Sequence, residues 1–321
     1  MEFYLGIDIS KATFDVHLLG LTKGKHRKFS NSQLGFYQLS EWLTALGVGE
    51  VHACMEATGR YWDQLAEYLH AKTHRVSAIN PARIKGFSQS LLSRLKTDKA
   101  DAEVIALFCQ ALKPRLWTPP AAHIRELQEL VRHQAHIKQT IQREKNRLQS
   151  GLRSETICRF IEGQIEFLSL QLTQVEKDID VLVDSEQELK TQCELLLSIP
   201  GIGKRTAMSF LSEITNVNNF SSIKQLVAYA GLAPSARASG SSLHRPARIS
   251  KIGNARLRKS LYFPAMVAEV SNPVVAEFSN RLKQNGIRPM PRVVASMRKL
   301  LHIMFGVLKS RTPFKLAVST H

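Results

Sequence analysis

The sequence predicts an α/β domain, then a long helical segment, then a mostly helical, basic C-terminal domain. Three observations carry that reading. Short apolar strands alternate with helical patterns through residues 1–122. Residues 123–188 hold no proline, and Gly151 and Gly163 are their only glycines. The charge is divided unevenly: of 44 Lys and Arg and 27 Asp and Glu, residues 191–321 carry 19 and four, and residues 214–268 carry no carboxylate. With 321 residues and a formal net charge of +17, the chain is long enough for a large core and more than one domain. The expected boundaries are 1–122, 123–190 and 191–321.

Residues 3–10 read as a strand carrying one acid, Asp8, in apolar company. Residues 14–20 are its hairpin partner and 25–32 a third strand. Leu34, Tyr37, Leu39 and Leu43 recur at helical spacing. Residues 51–59 form another apolar strand with Glu56 at its C-terminal end, followed by a helix over 61–71 and a strand over 75–80. Pro81 opens a helix as a proline at the first helical position can. The segment 85–96 is basic and reads as a connection, with Lys85, Arg94 and Lys96. Thr97 then caps a helix whose first turn holds Asp98 and Asp101. Pro114 and Pro119-Pro120 end the domain.

Acids in the first turn of a helix are favoured by its dipole, and that alone accounts for Asp98 and Asp101. Asp8 and Glu56 need more, because an acid in an apolar strand is costly to bury unpaired. Two such strands followed by a helix that opens with two acids is the order of an RNase H-like nuclease core. That fold gathers carboxylates around two Mg²⁺ ions about 4 Å apart for in-line phosphoryl transfer. Asp8, Glu56, Asp98 and Asp101 are the candidate metal ligands.

In the helical segment, Ile161, Leu168, Val175 and Leu182 recur every seven residues, with Ile165, Leu172 and Ile179 at the alternate position. Three heptads predict a coiled coil between chains, with a hairpin closing within one chain as the alternative. Leu197 to Lys204 then reads as a helix-hairpin-helix turn. Gly201, Gly203 and Lys204 are its candidate phosphate contacts, through backbone N–H groups and a helix N-terminus. The segment 233–245 reads as a loop of small residues with Ser239, Ser241 and Ser242 at its centre, flanked by Arg237, Arg245, Arg248 and Lys251. Such loops are commonly plain linkers. No His or Asp at triad spacing singles out one serine as a nucleophile.

The basic C-terminal part points to a polyanion partner, DNA or RNA, rather than a lipid surface, since no lipid-binding amphipathic helix stands out. Cys54, Cys109, Cys158 and Cys193 have no metal or redox spacing and read as reduced cytoplasmic thiols. The N-terminus runs into a charged strand rather than a signal peptide, and no apolar run is long enough to span a bilayer. The 11 histidines form no zinc-ligand cluster.

Taken together, Gly6-Ile7-Asp8, Met55-Glu56-Ala57-Thr58-Gly59, Lys96-Thr97-Asp98-Lys99-Ala100-Asp101-Ala102, Ser198 to Gly203 and Ala238-Ser239-Gly240-Ser241-Ser242 resemble, in order and spacing, the motifs of IS110-family transposases and the related Piv-type DNA invertases. The resemblance covers nearly the whole chain. It implies a RuvC-like domain with a DEDD acid set at Asp8, Glu56, Asp98 and Asp101, a coiled coil, and a C-terminal domain whose catalytic serine maps to Ser239. It further implies Mg²⁺, with Mn²⁺ able to replace it, dimers that pair into tetramers, a site built from two protomers, and a structured bridge RNA that guides the enzyme to DNA.

The expectation is therefore a cytoplasmic DNA recombinase, the transposase of an insertion sequence. A Piv-type invertase, a RuvC-like hydrolytic nuclease and a non-catalytic nucleic-acid scaffold are the alternatives. A sugar kinase of the actin superfamily would share the core, and Gly6 to Ser10 faintly resembles its phosphate loop. The acid-free basic half argues against that class.

Overall fold

A computed structural model of the chain describes residues 2–91, 97–239 and 243–316, with the backbone alone for 235–239 and 243–248. The chain divides into two units, Met1–Pro119 and Pro120–His321.

The first unit is built on a five-stranded sheet of β1 (Phe3–Ile9), β2 (Thr13–Leu19), β3 (Lys25–Ser30), β4 (Val51–Glu56) and β5 (Arg75–Ile79). Its order is β3-β2-β1-β4-β5. The first three strands form an antiparallel meander, while β4 and β5 run parallel to β1. Among the described residues, four helices complete the unit: α1 (Gln33–Ala45), α2 (Asp63–Ala71), α3 (Pro81–Ser90) and α4 (Asp98–Leu112).

Strand alternation sends successive side chains to opposite faces. Leu5, Ile7, Phe14, Val16, Leu18, Ala53 and Met55 point to one face and pack with Phe36, Leu39 and Leu43 of α1 and Leu65 and Leu69 of α2. Tyr4 and Cys54 point to the other and pack with Ile105, Phe108 and Cys109 of α4 and Ile84 of α3. Gly6 shares that second face. A Cβ there would run into the backbone of Ala102 and Ala106, so the glycine is what lets α4 lie directly on β1. This approach sets the height of the first turn of α4 above the end of β1. Cys54 and Cys109, far apart in sequence, are both buried in this cluster, and the Cys109 thiol donates to the His52 carbonyl at 3.4 Å.

Among its described residues, the second unit is helical apart from one hairpin. It runs α5 (Ala122–Leu148), α6 (Glu155–Ser185), α7 (Gln187–Leu197), α8 (Lys204–Glu213), α9 (Ile223–Tyr229), β6 (Pro234–Ser239), β7 (Leu243–Ile249), α10 (Ala255–Ser260), α11 (Tyr262–Ser271), α12 (Pro273–Gln284) and α13 (Pro289–Ser310). One apolar core joins Ile137 and Ile141 of α5, Val175 and Ile179 of α6, Leu196, Phe210, Leu257, and Leu300 and Met304 of α13.

Two expectations need correcting. The heptad positions of α6 face α5 of the same chain: Val175 and Ile179 are buried in the shared core, and Leu168 and Leu172 pack against it. Polar bonds at the rim join the same two helices, from Gln134 and Lys138 to Glu176. The seven-residue repeat is therefore satisfied by a helical hairpin, the closing of one chain on itself. The supposed small-residue loop is also ordered differently, as a two-stranded hairpin pairing Ser239 with Leu243 and Arg237 with Arg245.

Candidate active site

The acids of the first unit reach one region by three routes. Asp8 lies two residues beyond Gly6 on β1, so it shares the face that α4 covers. Glu56 ends β4, again on that face, two residues beyond Cys54. Its carboxylate accepts a 2.5 Å bond from the Thr58 hydroxyl. Asp98 and Asp101 occupy the first turn of α4, which Thr97 caps by accepting the Ala100 N–H at 3.2 Å. Asp98 is largely exposed and Asp101 half-buried.

These charges act on one another. Burial, and after it the negative charges of Asp101, Asp98, Glu56 and Asp15, push the Asp8 carboxyl from its ordinary 3.8 up to about 6. Among the described residues, no group of three or more His, Cys, Asp or Glu side chains is arranged to hold a metal ion.

Three residues at this site were missed at the sequence level. Asp15 stands directly opposite Asp8 across the β1–β2 pairing, and Lys28 directly opposite Asp15 across β2–β3. Asp15 is 5% exposed. It accepts His26 Nε2 at 2.8 Å and Lys28 Nζ at 3.0 Å. Lys28 Nζ also stands 3.5 Å from Asp98 Oδ2. Two carboxylates facing each other across a strand pair repel, and the Lys28 ammonium and the hydrogen bond from His26 on Asp15 offset that. The signal was present. The short connection after Ile9 sets the register, and the register brings position 15 to face position 8.

In the second unit, the turn between α7 and α8 carries Gly201, Gly203 and Lys204. Gly201 has φ +95°, and a Cβ on it would crowd Ala268 of α11 at 2.9 Å. Its glycine is thus required by backbone and packing. Gly203, the N-cap of α8, has open space on its Cβ side. Lys204 Nζ is paired with Asp180 of α6 at 2.7 Å. Ser239 is the last residue of β6, and Ser241 and Ser242 lie outside the described residues, as does Lys96. Arg237, Arg245 and Arg248 lie on the two strands of the hairpin. Lys251 follows it in an exposed, left-handed conformation at φ +57°.

The base of the hairpin is tied down. Arg258 Nη1 donates to the carbonyls of Ala230 and Lys251 at 3.1 and 3.3 Å. Asn254 donates to the buried carboxylate of Glu213 at 2.7 Å, and Arg132 approaches the same group at 3.3 Å. Glu213 is the last acid before the carboxylate-free stretch, and it serves as a buried anchor.

Among the described residues, no helix is long and apolar enough to cross a membrane. All four cysteines are free thiols.

Residues 5–157 match the family model described as Transposase, of the IS110 DEDD type, and residues 193–280 match the one described as Transposase IS116/IS110/IS902 family. The pilin gene-inverting proteins of Moraxella bovis and Moraxella lacunata are each 35% identical to this chain over 97% of both sequences. The transposase for insertion sequence element IS1111A of Coxiella burnetii is 35% identical over 26% of this chain and 24% of its own. Two family regions in the expected order and full-length relatives at this identity lead to one conclusion: the chain belongs to the IS116/IS110/IS902 family of transposases and is a DNA transposase or recombinase.

Proposed function

We propose that the protein cleaves and exchanges DNA strands with Asp8, Glu56, Asp98 and Asp101 as a divalent-metal site and Ser239 as the nucleophile. The observation that carries this reading is the crowding of charge on Asp8, opposed by each of the other three acids. The strand order β3-β2-β1-β4-β5 with α4 laid on β1 supports the RuvC-like, RNase H-type assignment of residues 1–122. Four carboxylates offer the hard oxygen donors that Mg²⁺ or Mn²⁺ takes, and a dication would relieve their mutual repulsion. When bound, the ion supplies charge neutralisation at the scissile phosphate.

The chain's own residues do the rest. Ser239 Oγ loses its proton and attacks phosphorus. The bond to the departing 3′-oxygen breaks, and that oxygen takes up a proton. The phosphate stays activated as a serine ester, so a 3′-hydroxyl of the partner strand can displace the serine without ATP. Arg237, Arg245, Arg248 and Lys251 stabilise the charge that develops on the phosphate.

Residues 191–321 serve as the nucleic-acid-binding part, including the helix-hairpin-helix-like turn with Gly201, Gly203 and Lys204. A structured bridge RNA is the proposed guide. Residues 123–190 assemble the protein into dimers that pair as tetramers. Their support is the exposed apolar row of Phe160, Phe167 and Val181, spaced by seven and fourteen residues on α6 and turned away from the intrachain seam. The site of action is cytoplasmic, nucleoid DNA. Inversion of a DNA segment is the second reading, because the full-length relatives are named for inverting a pilin gene.

The test uses end-labelled DNA with one nick, resolved on a denaturing gel. Wild type forms a protein–DNA adduct with Mg²⁺. Ser239→Ala binds DNA and forms none, while Ser241→Ala and Ser242→Ala keep substantial activity. A wild-type enzyme that cuts but never becomes attached to DNA is a hydrolytic nuclease, and the serine assignment fails.

A further inference from the structure

Lys28 occupies a place in the acid site that the reading above leaves unexplained. It lies on the edge strand β3, yet its side chain turns to the face covered by α4. The backbone register lines up Asp8, Asp15 and Lys28 on three adjacent strands. Asp15, nearly fully buried, fixes the ammonium at 3.0 Å, and the ammonium reaches on to Asp98 Oδ2 at 3.5 Å. Asp98 is mostly open to solvent, and the Lys28 ammonium is its ion-pair partner.

We propose that Lys28 is the site's built-in cation: anchored on Asp15, it holds the Asp98 carboxylate, and an incoming divalent ion must displace it from that carboxylate. Lys28 is thus a positioning residue. It keeps Asp98 oriented toward the sheet, and it weakens cation binding by competing for one of the ligands. His26 supports the arrangement from the other oxygen of Asp15, so the anchor persists when Asp98 is taken away from Lys28. The inference rests on the reading of Asp98 as a metal ligand.

The physical sign is set by charge. A lysine among five carboxylates lowers the negative potential that a dication experiences. Removing it leaves Asp98 unclaimed and the potential more negative. Lys28 is half-exposed on an edge strand outside the apolar clusters, and His26 still contacts Asp15 when Lys28 is replaced, so folding of each variant is checked directly.

The experiment is Mn²⁺ binding to the full-length protein, measured by calorimetry and by the loss of the free-ion electron paramagnetic resonance signal, at fixed pH and ionic strength. Lys28→Met is expected to bind Mn²⁺ roughly tenfold more tightly than wild type. Lys28→Arg restores wild-type affinity, and Lys25→Met leaves it unmoved, since Lys25 lies on the same strand but pairs opposite Leu18. Melting curves show that each variant is folded. Unchanged or weaker Mn²⁺ binding in folded Lys28→Met overturns the proposal, as does an equal effect of Lys25→Met. A wild-type protein that binds no Mn²⁺ overturns the metal reading itself, and with it this inference.

Discussion

The two faces of the five-stranded sheet are made from the same strands and do opposite work. Toward α1 and α2 the strands present Ile7, Phe14, Val16 and Met55, all fully buried in one apolar cluster. Toward α4 they present Asp8, Asp15 and Glu56, one position away along each strand. The first face stabilises the unit by removing apolar area from water. The second buries much of Asp8 and surrounds it with negative charge, which raises its pKa and opposes stability at neutral pH. The difference teaches that this unit is held together by one face so that the other can carry strain.

Substitutions on the charged face should therefore abolish function and leave the fold. Asp8→Asn, Asp98→Asn or Asp101→Asn is expected to lower DNA strand cleavage at least about a thousandfold, with DNA binding and a cooperative melt retained. Wild-type cleavage by any two of them would break the comparison at its most important point. Substitutions on the apolar face should do the reverse. Phe14→Ala, in a fully buried ring that stacks on Phe29 at 5.5 Å, is expected to cost about 3–5 kcal/mol in denaturant unfolding. A loss below about 1 kcal/mol would mean that this face is not what holds the sheet.

Where the two faces meet, Gly6→Val should force α4 off β1, because the new side chain overlaps the backbone of Ala102 and Ala106. Cleavage is expected to disappear with a loss of several kcal/mol, about as large as for the core ring.

A smaller effect has the opposite sign. The folded-state value of Asp8, about 6, lies above its ordinary 3.8. Its contribution to stability is therefore fully present below the lower value and is lost as pH rises through the upper one. In chelator-treated protein at about pH 7.5, Asp8→Asn should stabilise the fold by about 1 kcal/mol, discounted for the solvent that still reaches the group. At about pH 4 the variant and the wild type should melt alike.

The sequence made one face far easier to read than the other. Strand positions, the Pro81 helix start and the Thr97 cap follow from local chemistry, and Asp8, Glu56, Asp98 and Asp101 stood out as acids in apolar strands or a first turn. Asp15, His26 and Lys28 did not, because their role exists only through pairing across strands. The heptads of α6 gave the period of the seam but not its partner, since an intrachain helix and a second chain demand the same spacing. The segment around Ser239 was obscured by its composition: small residues suggest a linker, and the pairing of Ser239 with Leu243 and Arg237 with Arg245 has no period-two pattern to announce it.

The central claim is that the four acids share one electrostatic site. The most direct test is the titration of the Asp8 carboxyl carbon by NMR in metal-free protein, with and without Asp101→Asn. The account predicts an apparent pKa of about 6 in wild type, falling toward the ordinary carboxylate range when the Asp101 charge is removed. A wild-type value near 3.8, or a value near 6 that Asp101→Asn leaves unmoved, would contradict it.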